Sequence, residues 1–335
     1  MMLKKMMKAA LVIAMVGGLS TTAMAEAKVG GSIKTSFGQY TNGDADAVQV
    51  APTEANIDIV TKHEKMTAYA QIELGSMGDA YYKNTRRAVS YQMSDMIGLK
   101  IGTVNTGVPF SIVSGLKTRT IPGEFVGIYY AFTEADGLNV GLKLTDTIKA
   151  ELTLFPSAVG NPTSVDANGK PTAAYVFGSE SGTSTQLGAS GMLSKELAFK
   201  FSYLMSADDA TSDSVTSTSM LLGVKYAMEG LSFSLDYQSK EASQGTYSES
   251  KSGPAIQVGA DAGPGKVVFT YASDSGTSSD ASAVTYSNAW MNLAYQVAVD
   301  KATGFQVIYT SHTKTPSVGD AVTDGFIGGG LYAGF

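Results

Sequence analysis

The chain offers few residues for covalent chemistry. It contains two histidines, His63 and His312, and no cysteine. A hydrolase places a nucleophile, a base and an orienting group within reach of one another, whereas His63 falls in a predicted turn and His312 near the far end of a predicted strand. The sequence therefore predicts no catalytic residue, no cofactor and no thiolate metal site, although a hydrolase built on carboxylates alone stays open.

Two pairs of acids could bind a divalent cation through their carboxylate oxygens, Asp44 with Asp46 and Asp208 with Asp209. Both pairs lie in segments rich in Ser, Thr, Asp and Gly, where solvated charge is the simpler interpretation. We predict no metal site from them, and cation binding by these loops stays open.

The elements that position the other charged residues are predicted strands. Apolar residues recur at every second position in segment after segment, which gives a strand one apolar and one polar face. One such set is Leu231, Phe233, Leu235 and Tyr237, interleaved with Ser232, Ser234, Asp236 and Gln238. A β-sandwich shows the same alternation, so the connectors must distinguish the two folds.

The connectors between these strands alternate in length. Short ones are residues 194–196, 228–230, 262–266 and 300–304, and longer ones, rich in Ser, Thr, Asp and Gly, are 208–217, 241–253, 274–283 and 313–324. Short turns at one rim and long loops at the other are typical of an outer-membrane barrel. The sequence thus favours a barrel over a sandwich.

The first 25 residues have the three parts of a cleaved secretory signal peptide. Three lysines within the first eight residues form a basic region, residues 9–19 form an apolar run, and Ala23-Met24-Ala25 is an A-x-A cleavage site. The apolar run is shorter than the roughly 18 residues that a membrane-spanning helix needs. We therefore predict a signal peptide over residues 1–25 and a single domain over 26–335.

The composition of the remaining chain narrows its class. Hydrophobic residues make up 44% of the sequence and charged residues only 16%, against about 25% charged in ordinary soluble domains, yet no long apolar run follows the signal. The formal net charge is −6, and removing the three signal lysines makes it −9, which argues against a nucleic-acid-binding protein. The pattern suits strands with one apolar and one watery face.

The last strand carries a family resemblance. Ile327, Gly329, Leu331, Ala333 and Phe335 lie on one face of it. Together with the secretory signal, this strand resembles the closing strand of a Gram-negative outer-membrane β-barrel. The resemblance implies an outer-membrane location, contact with lipid and lipopolysaccharide, and recognition of the strand ending in Phe335 by the barrel-insertion machinery.

Counting strands predicts an all-β, transmembrane antiparallel barrel of sixteen strands. They fall at 29–40, 55–63, 66–74, 85–93, 96–103, 126–133, 138–145, 184–193, 197–206, 219–227, 231–239, 254–261, 266–273, 285–298, 303–311 and 326–335. Residues 148–155 and 173–177 also look strand-like. We favour placing them as a hairpin inside a large external loop, because residues 156–171 are too long for a periplasmic turn. As wall strands they would make eighteen.

The front half resembles the general bacterial porins. Thr85 to Val89, Ile97 to Gly102 and, after a long loop, Phe125 to Tyr130 look like strands four, five and six of that family. In the family, the loop after strand five folds into the barrel and narrows the pore, and the subunits form a homotrimer. The resemblance implies a constriction loop over residues 104–124, where Gly107 and Pro109 are among the residues that turn the chain off the wall.

Strand parity, with the apolar residues outward, assigns charges to the barrel interior. The basic residues are Lys34, Arg86, Lys100, Lys143, Lys200 and Lys225, the acidic residues are Asp58, Glu73, Asp236 and Asp261, and the loop adds Lys117, Arg119 and Glu124. General porins set a ladder of arginines on the wall against acids on the loop. Here Arg86 matches the ladder, Tyr129 stands where the family often carries Arg, and the loop is basic. Arg87 points outward by parity, and Trp290 fits either face.

Sixteen strands leave an aqueous bore. The sequence therefore predicts a passive diffusion channel for small hydrophilic solutes and ions, with a weak anion preference set by Lys117 and Arg119. A substrate-specific channel for a sugar or small organic acid is the alternative, which inward aromatic residues such as Tyr69, Tyr129 and Trp290 would favour. A purely structural barrel is a third interpretation.

Overall fold

The computed structural model describes most of the chain after residue 25. The described ranges are 26–42, 45–74, 82–111, 133–156, 182–208, 215–244, 247–278, 285–300, 302–316 and 320–334. Within these ranges no helix is long and apolar enough to cross a membrane.

The described residues form sixteen β-strands. They are β1 (Glu26–Asn42), β2 (Ala45–His63), β3 (Met66–Leu74), β4 (Tyr82–Gln92), β5 (Ile97–Thr106), β6 (Thr133–Lys143), β7 (Ile148–Phe155), β8 (Thr183–Met192), β9 (Leu197–Asp208), β10 (Val215–Met228), β11 (Leu231–Gln244), β12 (Tyr247–Ala262), β13 (Gly265–Ser278), β14 (Thr285–Ala298), β15 (Thr303–Pro316) and β16 (Val322–Gly334).

The sixteen strands close into one antiparallel barrel. Each strand pairs with its neighbours in sequence, and β1 pairs with β16 from Ser32 opposite Gly334 to Asn42 opposite Asp324. Closure leaves no open sheet edge, which is the condition for crossing hydrocarbon. The prediction of a sixteen-stranded barrel is confirmed, and the eighteen-stranded alternative is not.

Two assignments near the middle of the chain were wrong. Residues 148–155, predicted as part of a hairpin in an external loop, form the wall strand β7 between β6 and β8. Residues 133–143 form one strand rather than the end of one and most of another. The predicted strand 126–133 lies, apart from its last residue, outside the described residues, and so does 173–177.

The gap between the predicted strands 126–133 and 138–145 contains Asp136 and Gly137, which are residue types common in turns. Asp136 instead pairs with Arg87 on the outside of the wall. Gly137 lies so close to β7 that a Cβ atom would be 2.7 Å from the Leu154 carbonyl oxygen and 2.9 Å from the Phe155 ring. This glycine permits close strand packing and does not mark a chain reversal.

The turns at one end of the barrel, which we call the short-turn end, contain two or four residues each. In the four four-residue turns, the second residue accepts a hydrogen bond from the first backbone N–H of the next strand: Ser94 from Ile97 at 3.1 Å, Thr145 from Ile148 at 3.0 Å, Ser194 from Leu197 at 3.1 Å and Asp300 from Thr303 at 2.6 Å. Hydrogen bonds from the backbone N–H groups of Ala302 and Thr303 and from the Thr303 side chain hold the pKa of Asp300 below its usual value.

The two faces of the wall differ in exposure and polarity. On β11 the side chains of Phe233 and Leu235 are 43% and 41% exposed, whereas those of Asp236 and Gln238, on the opposite face, are each 1% exposed. Because directly paired residues share a face, the registers carry this assignment from strand to strand around the closed barrel. The outer face is apolar, and the inner face is mostly polar.

Candidate functional site

The inner wall of β2, β3 and β4 carries a hydrogen-bonded network. The Asp58 carboxylate accepts from the Tyr69 hydroxyl at 2.7 Å and from Gln71 Nε2 at 2.8 Å. Arg86 Nη1 donates to Gln71 Oε1 at 3.0 Å. Gln71 therefore links the two predicted inward charges, a role that strand parity could not assign because it depends on side-chain reach.

The other predicted site residues are more scattered. Lys100 lies on β5 opposite Asn139. Lys143, the last residue of β6, pairs with Asp146 at 2.7 Å, and the hydrogen bond from Lys143 lowers the pKa of Asp146. Lys143 is therefore at the short-turn end. Lys34 and Glu73 belong to β1 and β3. The remaining predicted residues, Lys117, Arg119, Glu124 and Tyr129, lie outside the described residues.

The segment that follows β5 runs inside the barrel. It starts at Gly107, whose φ of 67° is in the left-handed region that glycine adopts easily. Six strands further around the wall, Asp236 on β11 accepts hydrogen bonds from the backbone N–H groups of Phe110 at 3.0 Å and Ser111 at 2.5 Å. We call residues 107–111 the crossing segment.

Three further wall residues hold the crossing segment. Lys200 on β9 donates to the Val108 carbonyl oxygen at 3.0 Å, and its Nζ lies 4.3 Å from the centre of the Phe110 ring, which is a cation–π distance. Gln257 Nε2 on β12 donates to the Ser111 carbonyl oxygen at 3.4 Å. Gly223 lies beneath Phe110, where a Cβ atom would be 3.1 Å from the ring.

A small apolar cluster lies on the inner wall where β5 ends. It consists of Val104, Phe155 and Leu204, each 2% exposed. Beside it the Thr106 hydroxyl donates to Gln186 Oε1, and Gln186 Nε2 donates to Ser202 at 2.6 Å. Sequence parity missed the cluster because it assumed that apolar residues point outward.

An aromatic pair faces inward on β14 and β15. Trp290 and His312 occupy directly paired positions, and their rings stack with centroids 5.0 Å apart and planes 2° apart. His312 Nε2 lies 3.3 Å from Asn288 Oδ1, and Asn288 Nδ2 donates to Asp274 at 2.8 Å. The sequence left open whether Trp290 faces outward or inward, and the structure places it on the inner face.

An ion pair lies on the outer face of β4–β6. Arg87 Nη2 is 3.3 Å from Asp136 Oδ2, and the Thr103 hydroxyl donates to Asp136 Oδ1 at 3.0 Å. The Arg87 and Asp136 side chains are 64% and 54% exposed. Their outer-face neighbours Val89 and Ile101 are exposed apolar residues.

No family model and no curated protein matches the sequence. Among solved structures, the anion-selective porin from Comamonas acidovorans matches with a TM-score of 0.65 at 12% identity, over 93% of this chain and 100% of that chain. The outer membrane channel DcaP of Acinetobacter baumannii matches with a TM-score of 0.65 at 14% identity, over 94% and 99%.

This chain has the fold of the outer-membrane porins. A trimer form of OmpT, an outer membrane protein of Vibrio cholerae, matches this porin fold as well, with a TM-score of 0.64 at 12% identity over 93% of this chain and 100% of that one. At these identities the likeness establishes the architecture, and the resemblance to the general-porin family in particular rests on the sequence.

Proposed function

We propose that this protein is an outer-membrane porin, a passive diffusion channel for small hydrophilic solutes and ions. The observation that carries the proposal is a closed sixteen-stranded barrel with a polar inner face, into which the crossing segment is fixed by Asp236 and Lys200. Sixteen-stranded barrels enclose an aqueous channel, and selectivity in such a channel comes from bore size and lining charge. No chemical step is involved, so the protein is not an enzyme.

The remaining parts of this proposal rest on the sequence. Residues 1–25 are a cleaved signal peptide, residues 26–335 are the barrel domain, and the protein resides in the outer membrane of a Gram-negative bacterium in contact with lipid and lipopolysaccharide. The C-terminal strand ending in Phe335 serves as the signal for the barrel-insertion machinery. The apolar outer face supports a membrane location.

The proposed pore lining combines the wall network with the loop. The wall residues are Lys34, Asp58, Glu73, Arg86, Lys100 and Lys143. The loop, predicted over residues 104–124, starts at Gly107 because residues 104–106 belong to β5, and it adds Lys117, Arg119 and Glu124, followed by Tyr129. The crossing segment supports an inward course for the start of this loop.

Conductance in planar bilayers tests the channel and its selectivity together. The wild-type protein is expected to form ohmic channels with a weak anion preference across a KCl gradient, because charges in a narrow bore act in a focused field. The double variant Lys117→Glu/Arg119→Glu is expected to shift the reversal potential toward K⁺ selectivity. Absence of any conductance from correctly folded protein contradicts the channel, and an unchanged reversal potential contradicts the placement of the loop.

A substrate-specific channel is the second candidate, because Trp290 faces inward beside His312. An aromatic ring with polar neighbours can contact both the apolar face and the hydroxyl groups of a sugar. Saturation of the ion current by a sugar or small organic acid at millimolar concentration, with loss of that saturation in Trp290→Ala, favours this candidate over general diffusion.

The homotrimer implied by the porin resemblance is also part of the proposal, and the outer-face ion pair supports it. Charged side chains are costly in contact with hydrocarbon, yet Arg87 and Asp136 are more than half exposed on the outer face of one subunit. A second copy of the chain covering β4–β6 would remove this pair from lipid.

Replacing both Arg87 and Asp136 with alanine tests this interface. The variant is expected to run as a monomer on native gels and in chemical cross-linking, while each subunit keeps its conductance. The matched control is Thr216→Ala/Ser243→Ala, which removes an exposed outer-face hydrogen bond of 2.8 Å from β10 and β11. A trimer that survives in the first variant, or is lost equally in the control, places the interface elsewhere.

A further inference from the structure

Two lysines occupy directly paired positions on the inner face, near the end of the barrel opposite the short turns. Most of residues 241–253, predicted as a long loop, belong to β11 and β12 there. Lys240 lies on β11 and Lys251 on β12, and the register pairs them directly. Their side chains share the inner face because Gln238 and Ala242, on either side of Lys240, are buried there. Like charges at directly paired positions repel and destabilise a sheet.

The neighbouring acids do not neutralise this pair evenly. Lys251 forms a salt bridge with Glu249, whose side chain is only 9% exposed. Within the described part of the chain, Lys240 has no carboxylate or other hydrogen-bond partner. Asp274 on β13 lies within electrostatic range of Lys251 but accepts from Asn288, and Lys314 adds a third cation nearby. Among the described residues around this pair, three cations thus face two carboxylates.

Small residues flank the two lysines on either side. Ser219 on β10 is paired with Lys240, and Gly276 on β13 is paired with Lys251. Neither side chain is long enough to cover the two ammonium groups. The residues directly paired with the two lysines therefore do not compete with a ligand of the opposite charge for the ammonium groups.

We propose that Lys240 and Lys251 bind the anionic group of a small solute, a carboxylate or a phosphate, on its way through the barrel. Such a ligand takes the place of the missing carboxylate partner of Lys240 and reduces the repulsion between Lys240 and Lys251. Charge-assisted hydrogen bonds from two ammonium groups to one oxyanion are among the stronger polar contacts. The proposal rests on the channel function, because the solute reaches these residues from inside the barrel.

Ion current through single channels in planar bilayers provides the test, with inorganic phosphate and succinate as separate probes. In wild type, each probe that binds is expected to reduce the KCl current in a saturable way. Lys240→Gln is expected to weaken this block about tenfold, the effect of about 1.4 kcal/mol, while Lys240→Arg retains it. Block by phosphate alone or by succinate alone identifies which oxyanion the site accepts.

The matched control is Lys225→Gln, which removes an inner-face lysine of β10 near the short-turn end. It is expected to leave the block unchanged. A second readout is the thermal stability of the detergent-solubilised barrel, which phosphate or succinate should raise in wild type but not in Lys240→Gln.

The failure of this inference differs from failure of the channel. A wild-type protein that conducts but is neither blocked nor stabilised by either anion overturns the site. Equal loss of block in the Lys240→Gln and Lys225→Gln variants overturns it too, since that result indicates a general effect of lumen charge. Absence of conductance in the wild type refutes the channel itself, whereas anion-dependent stabilisation in solution still tests the site.

Discussion

Replacing Asp236 with alanine is expected to release the crossing segment and to raise the single-channel conductance. The carboxylate accepts hydrogen bonds from two backbone N–H groups, those of Phe110 and Ser111. Hydrogen bonds to a charged group contribute about 1.5 kcal/mol or more each. A loss of about 3 kcal/mol lowers the ratio of attached to detached segment by roughly 150-fold, so the current is also expected to fluctuate more.

The control for this variant is Asp261→Ala. Asp261 is an inner-face acid on β12, directly paired with Lys266, and makes no hydrogen bond to the crossing segment. Both variants remove one negative charge from the interior, so a purely electrostatic effect would change the conductance of both by a similar amount. A conductance that stays at the wild-type value in Asp236→Ala, or rises equally in Asp261→Ala, shows that Asp236 does not hold the segment.

Replacing Gly328 with valine is expected to abolish assembly of the barrel. Gly328 is directly paired with Gly38 across the closure between β16 and β1. A Cβ atom at position 328 would lie 2.3 Å from the Phe37 carbonyl oxygen, 2.6 Å from the Phe326 ring and 2.9 Å from Gly38 Cα. Backbone on the partner strand cannot yield without breaking the pairing, so we expect a cost of about 3 kcal/mol or more, the upper range for overpacking.

The adjacent residue provides the control for this substitution. Gly329 points outward, and a Cβ atom there would lie 3.3 Å from the tip of the Phe37 side chain and 3.4 Å from the Gln306 carbonyl oxygen. Gly329→Val therefore adds the same side chain, with the same strand propensity, where only the tip of the Phe37 side chain has to move slightly. The measurement is the fraction of heat-modifiable folded barrel on gels. Similar yields for the two valine variants contradict the role assigned to the closure.

The sequence predicted the features that depend on period and parity. Alternation placed Asp58, Arg86 and Asp236 on the face that the registers also assign to the interior. The count of sixteen is also correct, although β7 was not among the counted strands and the counted strand 126–133 lies, apart from its last residue, outside the described residues. The face assignments succeed because a period of two fixes which residues share a face.

The features that the sequence missed depend on contacts between distant strands. The hydrogen bond from Phe110 to Asp236 joins residues 126 positions apart, and no local pattern encodes it. Parity also fails where an apolar residue lies on the polar face, as in β7, where Phe155 faces inward and its neighbour Leu154 is exposed. In β6, Gly137 falls in the gap between two predicted strands, although in the structure it allows β6 and β7 to pack closely.

The pairing of β1 with β16 has a consequence for the order of folding. It joins Ser32 to Gly334, about 300 residues apart. This pairing therefore closes the longest loop between any two paired strands, and the entropic cost of closing a loop grows with its length. Until β16 has arrived, β1 and β15 each present an unpaired edge that can pair with another chain. Closure of the barrel therefore requires the whole chain, and every partly formed sheet that lacks β16 keeps two open edges.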